Sequence, residues 1–156
     1  MNWWAADVAR GFRLEPVLEL ARRRLEAATG ELQQLAQRRA DAQSRLDQLQ
    51  GFLADYREQF RTAMQSGLET GRLQDFRAFL AKLERAVDLQ GAEVRRSQEA
   101  WSAKHREWLD LRQREQAMDV LKTRHLAAEA VRDGKREQKQ QDEFAGRRSR
   151  SDSTSS

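Results

Sequence analysis

Residues 49–83 read LQGFLADYREQFRTAMQSGLETGRLQDFRAFLAKL, and this stretch decides the fold. Two apolar series with the same spacing stand on either side of a short polar segment, residues 66–71, which contains two glycines. Glycines within a polar stretch between periodic segments are a strong turn signal. The stretch therefore predicts two helices joined by a turn near residues 66–72.

The series before the turn extends far towards the N-terminus. Its apolar residues recur at alternating steps of four and three, and only Arg39 interrupts them. A repeat of 3.5 residues sustained this long is typical of a left-handed coiled coil. The positions are Leu14, Leu18, Ala21, Leu25, Ala28, Leu32, Leu35, Arg39, Ala42, Leu46, Leu49, Leu53, Tyr56, Phe60 and Ala63.

The series after the turn keeps the same spacing but is more polar past Val87. Together the two series define what we call the seam, the a and d positions of the coiled coil. The second set comprises Leu73, Phe76, Leu80, Leu83, Val87, Gln90, Val94, Ser97, Trp101, Lys104, Trp108, Leu111, Glu115 and Met118.

The alignment of the two helices follows from the rule that a faces d in antiparallel coiled coils. A fold centred on Leu68 satisfies this rule and pairs residues whose numbers sum to 136. Phe60 then faces Phe76, and Ala28 faces Trp108, a match of small with large side chains. The sequence predicts an all-α fold, a long two-helix antiparallel coiled-coil hairpin. Its parts are a lead-in (1–13), the hairpin (14–145) and a disordered polar tail (146–156).

Composition and motifs argue against an enzyme. Charged residues make up 35% of the chain and hydrophobic ones 38%, which suits long helices better than a compact core. There is no cysteine, no glycine-rich phosphate loop, and neither His105 nor His125 has a second histidine one turn away. We therefore expect no catalytic residues, no metal site and no cofactor.

The charge pattern bears on partners and location. The net charge is +4, but 29 basic and 25 acidic residues are intermixed, as on solvated helix faces, so nucleic acid is not an expected partner. The sequence has no apolar run long enough to span a bilayer and does not begin like a signal peptide. We expect a cytoplasmic protein that reaches membranes only through partners.

Two surface features are not explained by coiled-coil packing alone. Phe52, Phe79 and Ala86 fall at g positions, which share one flank in an antiparallel hairpin, and we expect them to form an exposed apolar patch of the kind that binds partners. Arg22, Arg23 and Arg24 form a basic cluster that the alignment places by Glu115, and this cluster suits an acidic surface.

Three segments in this order resemble the FliJ family of flagellar type III export proteins. Residues 137–145 resemble the family's C-terminal signature, residues 53–60 its paired-aromatic segment before the turn, and residues 79–87 the segment after it. Trp101 stands where the family often has tryptophan. The resemblance implies a two-helix coiled coil similar to the central stalk of rotary ATP synthases.

The resemblance also implies partners: the hexameric export ATPase, the large membrane export-gate protein and export chaperones, at the inner-membrane face of the export apparatus. Gate-binding positions flank the turn. Phe60 stands where the family often has tyrosine, and Gln90 where other members can carry histidine. The matching positions in this chain are Leu49, Leu53, Tyr56, Phe60, Phe79, Leu83, Ala86 and Gln90.

The resemblance further implies that the free ends of the hairpin bind within the ATPase ring, where their basic surface would guide docking into an acidic pore. Two alternatives remain: the stalk protein of a virulence-type injectisome, and a homodimeric coiled-coil scaffold or chaperone. Neighbouring genes would separate the first from a flagellar protein, and solution mass the second. The expected ATPase-binding residues are Arg22, Arg23, Arg24, Lys135, Arg136 and Lys139.

Overall fold

The computed structural model describes residues 13–155 and contains two long helices. Helix α1 comprises Glu15–Gln65 and helix α2 comprises Thr70–Ser153, and they pack against each other as a hairpin. The predicted fold class is therefore confirmed. Most of the predicted lead-in, residues 1–12, lies outside the described residues.

The turn between the helices consists of residues 66–69. Gly67 has a positive φ of 80°. Its amide donates a hydrogen bond to the carbonyl of Met64 at 3.4 Å, and the amide of Ser66 donates to the carbonyl of Thr62 at 3.2 Å. A left-handed residue just past the last turn is a common way to end a helix, because it satisfies carbonyls that have no partner further along. Glycine adopts this conformation without a steric cost.

The hairpin divides into two compact units. The turn unit comprises residues 26–110, and the terminal unit comprises the described parts of 1–25 and 111–156. In the turn unit, Ala28, Ala42, Leu53 and Ser97 are buried. In the terminal unit Leu18 is fully buried. All five are seam positions, so the 3.5-residue repeat identified the buried face.

Burial follows the seam almost without exception. Every predicted seam residue is buried or half-buried except Leu14, which is 40% exposed at the start of the described chain. On α2 the same spacing continues past Met118 to Lys122, His125 and Glu129, all half-buried. These polar residues carry the buried face further than the apolar series indicated.

Contacts within the turn unit agree with the predicted alignment. The indole Nε1 of Trp108 donates to Thr29 Oγ1 at 2.9 Å, and the rings of Phe60 and Phe76 lie 5.7 Å apart between centroids. On one flank Arg38 pairs with Glu93 at 2.8 Å. The residue numbers of each pair sum to within five of 136.

The terminal unit has contacts of the same kind. Arg22 pairs with Asp119 at 3.0 Å and with Glu115 at 3.4 Å, and Lys122 pairs with Glu15 at 2.9 Å. The expected proximity of the basic cluster to Glu115 is thus present for Arg22. Exposed ion pairs of this kind contribute little stability each, but they define which residues face each other.

Polar seam residues find partners along the hairpin. The side-chain amide of Gln90 donates to the carbonyl oxygen of Ala42 at 3.0 Å, and Ser97 Oγ donates to the carbonyl of Val94 at 2.8 Å. Lys104 contacts Glu31 and Glu107, and hydrogen bonds to these carboxylates, first that of Glu31, raise its pKa above the ordinary lysine value. These bonds offset the cost of placing polar groups in the seam.

The end of α2 differs from the expected disordered tail, since the structure gives residues 146–153 as helix. Side-chain hydroxyls there donate to carbonyls one turn back, from Ser151 to Arg148 and from Ser153 to Arg150, each at 2.9 Å. Residues 131–145 are all exposed, so this part of α2 extends beyond the buried seam.

Candidate functional site

An aromatic cluster next to the turn is the most distinctive surface of the turn unit. Tyr56 on α1 contacts Phe76 and Phe79 on α2, with ring centroids 5.2 and 4.7 Å apart. Phe60 adds a further contact to Phe76 at 5.7 Å. All these pairs are tilted, the arrangement that aromatic quadrupoles favour. The helices meet through these rings, so the cluster is preformed.

Beside these rings lies an open groove of about 560 Å³. Its apolar wall consists of the rings of Tyr56, Phe76 and Phe79, and Phe79 is 47% exposed. A groove with an aromatic wall and a charged edge suits a protein segment that carries an apolar anchor. The remaining lining residues are Arg72, Asp75, Ala78 and Lys82.

The predicted gate-binding residues fall into two groups in the structure. Tyr56, Phe60 and Phe79 come together in the aromatic cluster. The others lie along or beside the seam: Leu53 is buried, and Leu49, Leu83, Ala86 and Gln90 are half-buried.

The predicted apolar patch on the g flank is partly as expected. Phe52 is 61% exposed and Phe79 is 47% exposed, but Ala86 is half-buried.

Phe76, Arg72 and Lys82 line the groove but were not among the predicted site residues. The apolar spacing identified Phe76 only as a seam residue, and nothing in the spacing indicated which charged side chains border the groove.

The basic residues predicted for ATPase binding all lie in the terminal unit and are all exposed. Arg22 forms ion pairs with Glu115 and Asp119, and these carboxylates offset its positive charge. Arg23 and Arg24 present exposed guanidinium groups beside it. The second basic group on α2 is Lys135, Arg136 and Lys139, of which Arg136 lies 3.9 Å from Asp133.

A ladder of stacked side chains in the turn unit was not predicted. The guanidinium of Arg39 lies 4.3 Å from the ring centroid of Trp101, which stacks on His105 at 4.8 Å. His105 in turn lies 6.0 Å from Trp108 with nearly parallel planes. The spacing of Trp101, His105 and Trp108 at i, i+4 and i+7 was the available signal, because it places them on one helix face.

Within residues 13–155, no three side chains of the metal-ligating types gather into a possible metal site. Neither helix, over the same residues, has a stretch long and apolar enough to cross a membrane. The titratable side chains with shifted pKa values are members of ion pairs, such as Glu58, whose pKa is lowered by its hydrogen bond from Arg61.

Comparison with known proteins places these features in a family. The model of the flagellar FliJ protein family matches residues 10–153. The flagellar FliJ protein of Salmonella typhi is 26% identical over 134 residues, which cover 86% of this chain and 91% of the relative. The flagellar FliJ protein of Escherichia coli K12 is 25% identical over the same shares. No solved structure matches the chain significantly.

Proposed function

Because the chain belongs to the flagellar FliJ protein family, we propose that it is a component of flagellar protein export. In this proposal it is a non-enzymatic stalk that binds the hexameric export ATPase at one end and the membrane export gate at the other. It also assists the delivery of substrate chaperones. It acts in the cytoplasm, at the inner-membrane face of the export apparatus.

The observation that carries the gate-binding part is the aromatic cluster by the turn. Tyr56 holds Phe79 by a ring contact of 4.7 Å while nearly half of Phe79 stays exposed. A preformed, exposed aromatic side chain loses little conformational freedom on binding, and such residues dominate interface energetics. The groove beside them gives an incoming segment of the gate protein room to bury an apolar side chain.

Charge supports the ATPase-binding part. Arg23 and Arg24 are exposed on α1, and Lys135 and Lys139 are exposed on α2 of the same unit. An acidic pore lining would attract these groups and steer the free ends during encounter. We expect this attraction to weaken as salt concentration rises, because exposed charges are screened.

The proposal is tested by binding assays with the two purified partners from the same organism. Phe79→Ala should weaken binding to the gate protein and leave binding to the ATPase unchanged. Arg23→Glu with Arg24→Glu should do the reverse. Each variant thus serves as the control for the other, and far-UV circular dichroism checks that helix content is retained.

Stoichiometry provides a second criterion. Light scattering of the complex with the nucleotide-bound ATPase should give one copy of this protein per hexamer. A stable dimer that binds neither partner would contradict the proposal and favour the homodimeric scaffold. Binding to an injectisome ATPase in preference to the flagellar one would favour the virulence-type alternative.

A further inference from the structure

A band of apolar side chains on α2 lies in the terminal unit, just before the basic residues Lys135, Arg136 and Lys139. The band comprises residues 117–131 and is about 20 Å long at about 1.5 Å per residue. Eight of its eleven exposed residues are alanine, valine or leucine. In the next stretch, residues 132–145, only Phe144 and Ala145 are apolar apart from a glycine. The band is therefore a local feature of α2.

The large side chains of the apolar band are accessible to solvent. Val120 is 48% exposed, Leu121 44%, Leu126 53% and Val131 58%, and none of the four is a seam position. The outward positions of a helix in a coiled coil are ordinarily polar. Neighbouring apolar side chains left in water in this way mark a surface that a partner covers.

The exposed side chains of the band are spread widely around the helix axis. At about 100° per residue, Leu121 lies about 100° to one side of Val120, and Leu126 lies about 120° to the other. Val131 and the alanines of the band fall between these two limits. The apolar arc thus spans about 220°, and the half-buried seam positions occupy the remainder of the circumference.

The width of this arc restricts the shape of the partner. A flat surface or a single shallow groove faces no more than half of a helix circumference, and the apolar arc is wider than that. A helix that is apolar on all sides is typical of an element buried within an assembly. The partner that covers the band must therefore surround α2.

We propose that the apolar band is enclosed by an apolar section of the pore of the hexameric export ATPase. This inference rests on the proposed function, under which the free ends of the hairpin bind in the ATPase ring. The basic residues steer the free ends during encounter, and the band then holds them in place. The two parts of the surface thus act at different stages of binding.

The polar residues within the band are compatible with such an enclosure. Asp119 pairs with Arg22 at 3.0 Å, and Thr123 Oγ1 donates to the carbonyl of Asp119 at 3.0 Å. These polar groups already have partners within the protein, which reduces the cost of covering them with an apolar surface.

The test measures association and dissociation rates of the full-length chain with the purified ATPase from the same organism. Leu121→Gln and Leu126→Gln, at the two edges of the arc, should each speed dissociation about tenfold, because each removes a buried leucine from the complex. The association rate and its salt dependence should stay unchanged, since charge governs them.

Leu89→Gln is the matched control, because Leu89 is 65% exposed but lies in the turn unit. It should leave both rates unchanged. None of the three leucines is a seam position, so circular dichroism should show the same helix content in all variants.

The outcomes separate this inference from the proposed function. Faster dissociation in only one of the two band variants would place the partner on one side of α2 and overturn the enclosure. If neither variant dissociates faster while Arg23→Glu with Arg24→Glu weakens binding, the ATPase contact stands without the band. A chain that never binds the ATPase would overturn both proposals. A homodimer that both band variants dissociate, seen by light scattering, would show that a second copy covers the band instead.

Discussion

Tyr56 and Phe79 lie on opposite helices with ring centroids 4.7 Å apart and planes inclined by 59°. Tyr56 is a half-buried seam residue, whereas Phe79 stands beside the seam and is 47% exposed. One contact thus links the packing of the hairpin to the proposed gate-binding surface. Changes at the two residues should consequently have separable effects.

Tyr56→Ala should destabilise the hairpin, because it removes two aromatic pairs that contribute about 0.5–1.5 kcal/mol each beyond their area. We expect the free energy of unfolding in urea to fall by about 1–3 kcal/mol. Phe52→Ala, at an exposed g position, should change it by less than about 0.5 kcal/mol. Equal losses in both variants would show that the cluster does not stabilise the hairpin.

Gly67→Ala should be unfavourable, because it forces a side chain into the left-handed conformation at φ of 80°. The expected loss is about 1–2 kcal/mol. Gly51 is the matched control, because it lies inside α1 and has open space around it. The substitution Gly51→Ala should stabilise the helix by about 0.5–1 kcal/mol. In thermal unfolding, we expect Gly67→Ala to lower the midpoint temperature and Gly51→Ala to raise it.

Glu93 gives the hairpin a pH-dependent contribution. Its hydrogen bonds with Arg38 and then Arg96 lower its pKa below 4.5. A carboxylate with a lowered folded-state pKa stabilises the fold above its unfolded-state pKa, and this stabilisation is lost as the pH falls through the folded-state value. NMR titration of the side-chain carboxyl should show the lowered pKa.

The matched variant for this titration is Arg38→Gln. It should move the pKa of Glu93 back towards 4.5 and reduce the acid dependence of unfolding. Because the pair is exposed, the effect should shrink at high salt. A pKa of Glu93 that is the same in both proteins would contradict the assigned pairing.

Arg39→Ala should remove the guanidinium that lies 4.3 Å over the Trp101 ring. We expect a loss of about 1 kcal/mol, part of it from the apolar stem of the arginine. Arg39→Met keeps much of that stem, so the difference between the two variants reports the cation. In a double-mutant cycle with Trp101→Leu, additive losses would show that the two side chains do not interact.

The sequence predicted the hairpin because its periodic signal is strong. The seam, the turn and the alignment all follow from apolar spacing, and Trp108 with Thr29 or Phe60 with Phe76 show that the alignment is close. Arg39 appeared in the sequence only as an interruption of the seam. Its position over Trp101 depends on side-chain conformations that spacing does not determine.

Other parts of the structure could not be predicted from the apolar repeat, for physical reasons. Lys122, His125 and Glu129 continue the half-buried face, but no apolar residue stands at the seam positions after Met118, so the apolar repeat ends there. Their burial is possible because ion pairs, such as that of Lys122 with Glu15, satisfy the charged groups. The helical end at Ser153 likewise depends on hydroxyl-to-carbonyl bonds that low-complexity composition does not indicate.

The amide of Gln90 donates to the carbonyl of Ala42, and small residues such as Ala28, Ala42 and Ser97 occupy the most buried places in the turn unit. Because these places are tightly packed, a larger side chain at any of them would push the helices apart. Adding residues to one helix alone would shift the small residues out of line with the large ones that face them, as Ala28 faces Trp108 in the alignment. Lineages that lengthen or shorten this hairpin should therefore do so by matched whole heptads on both helices.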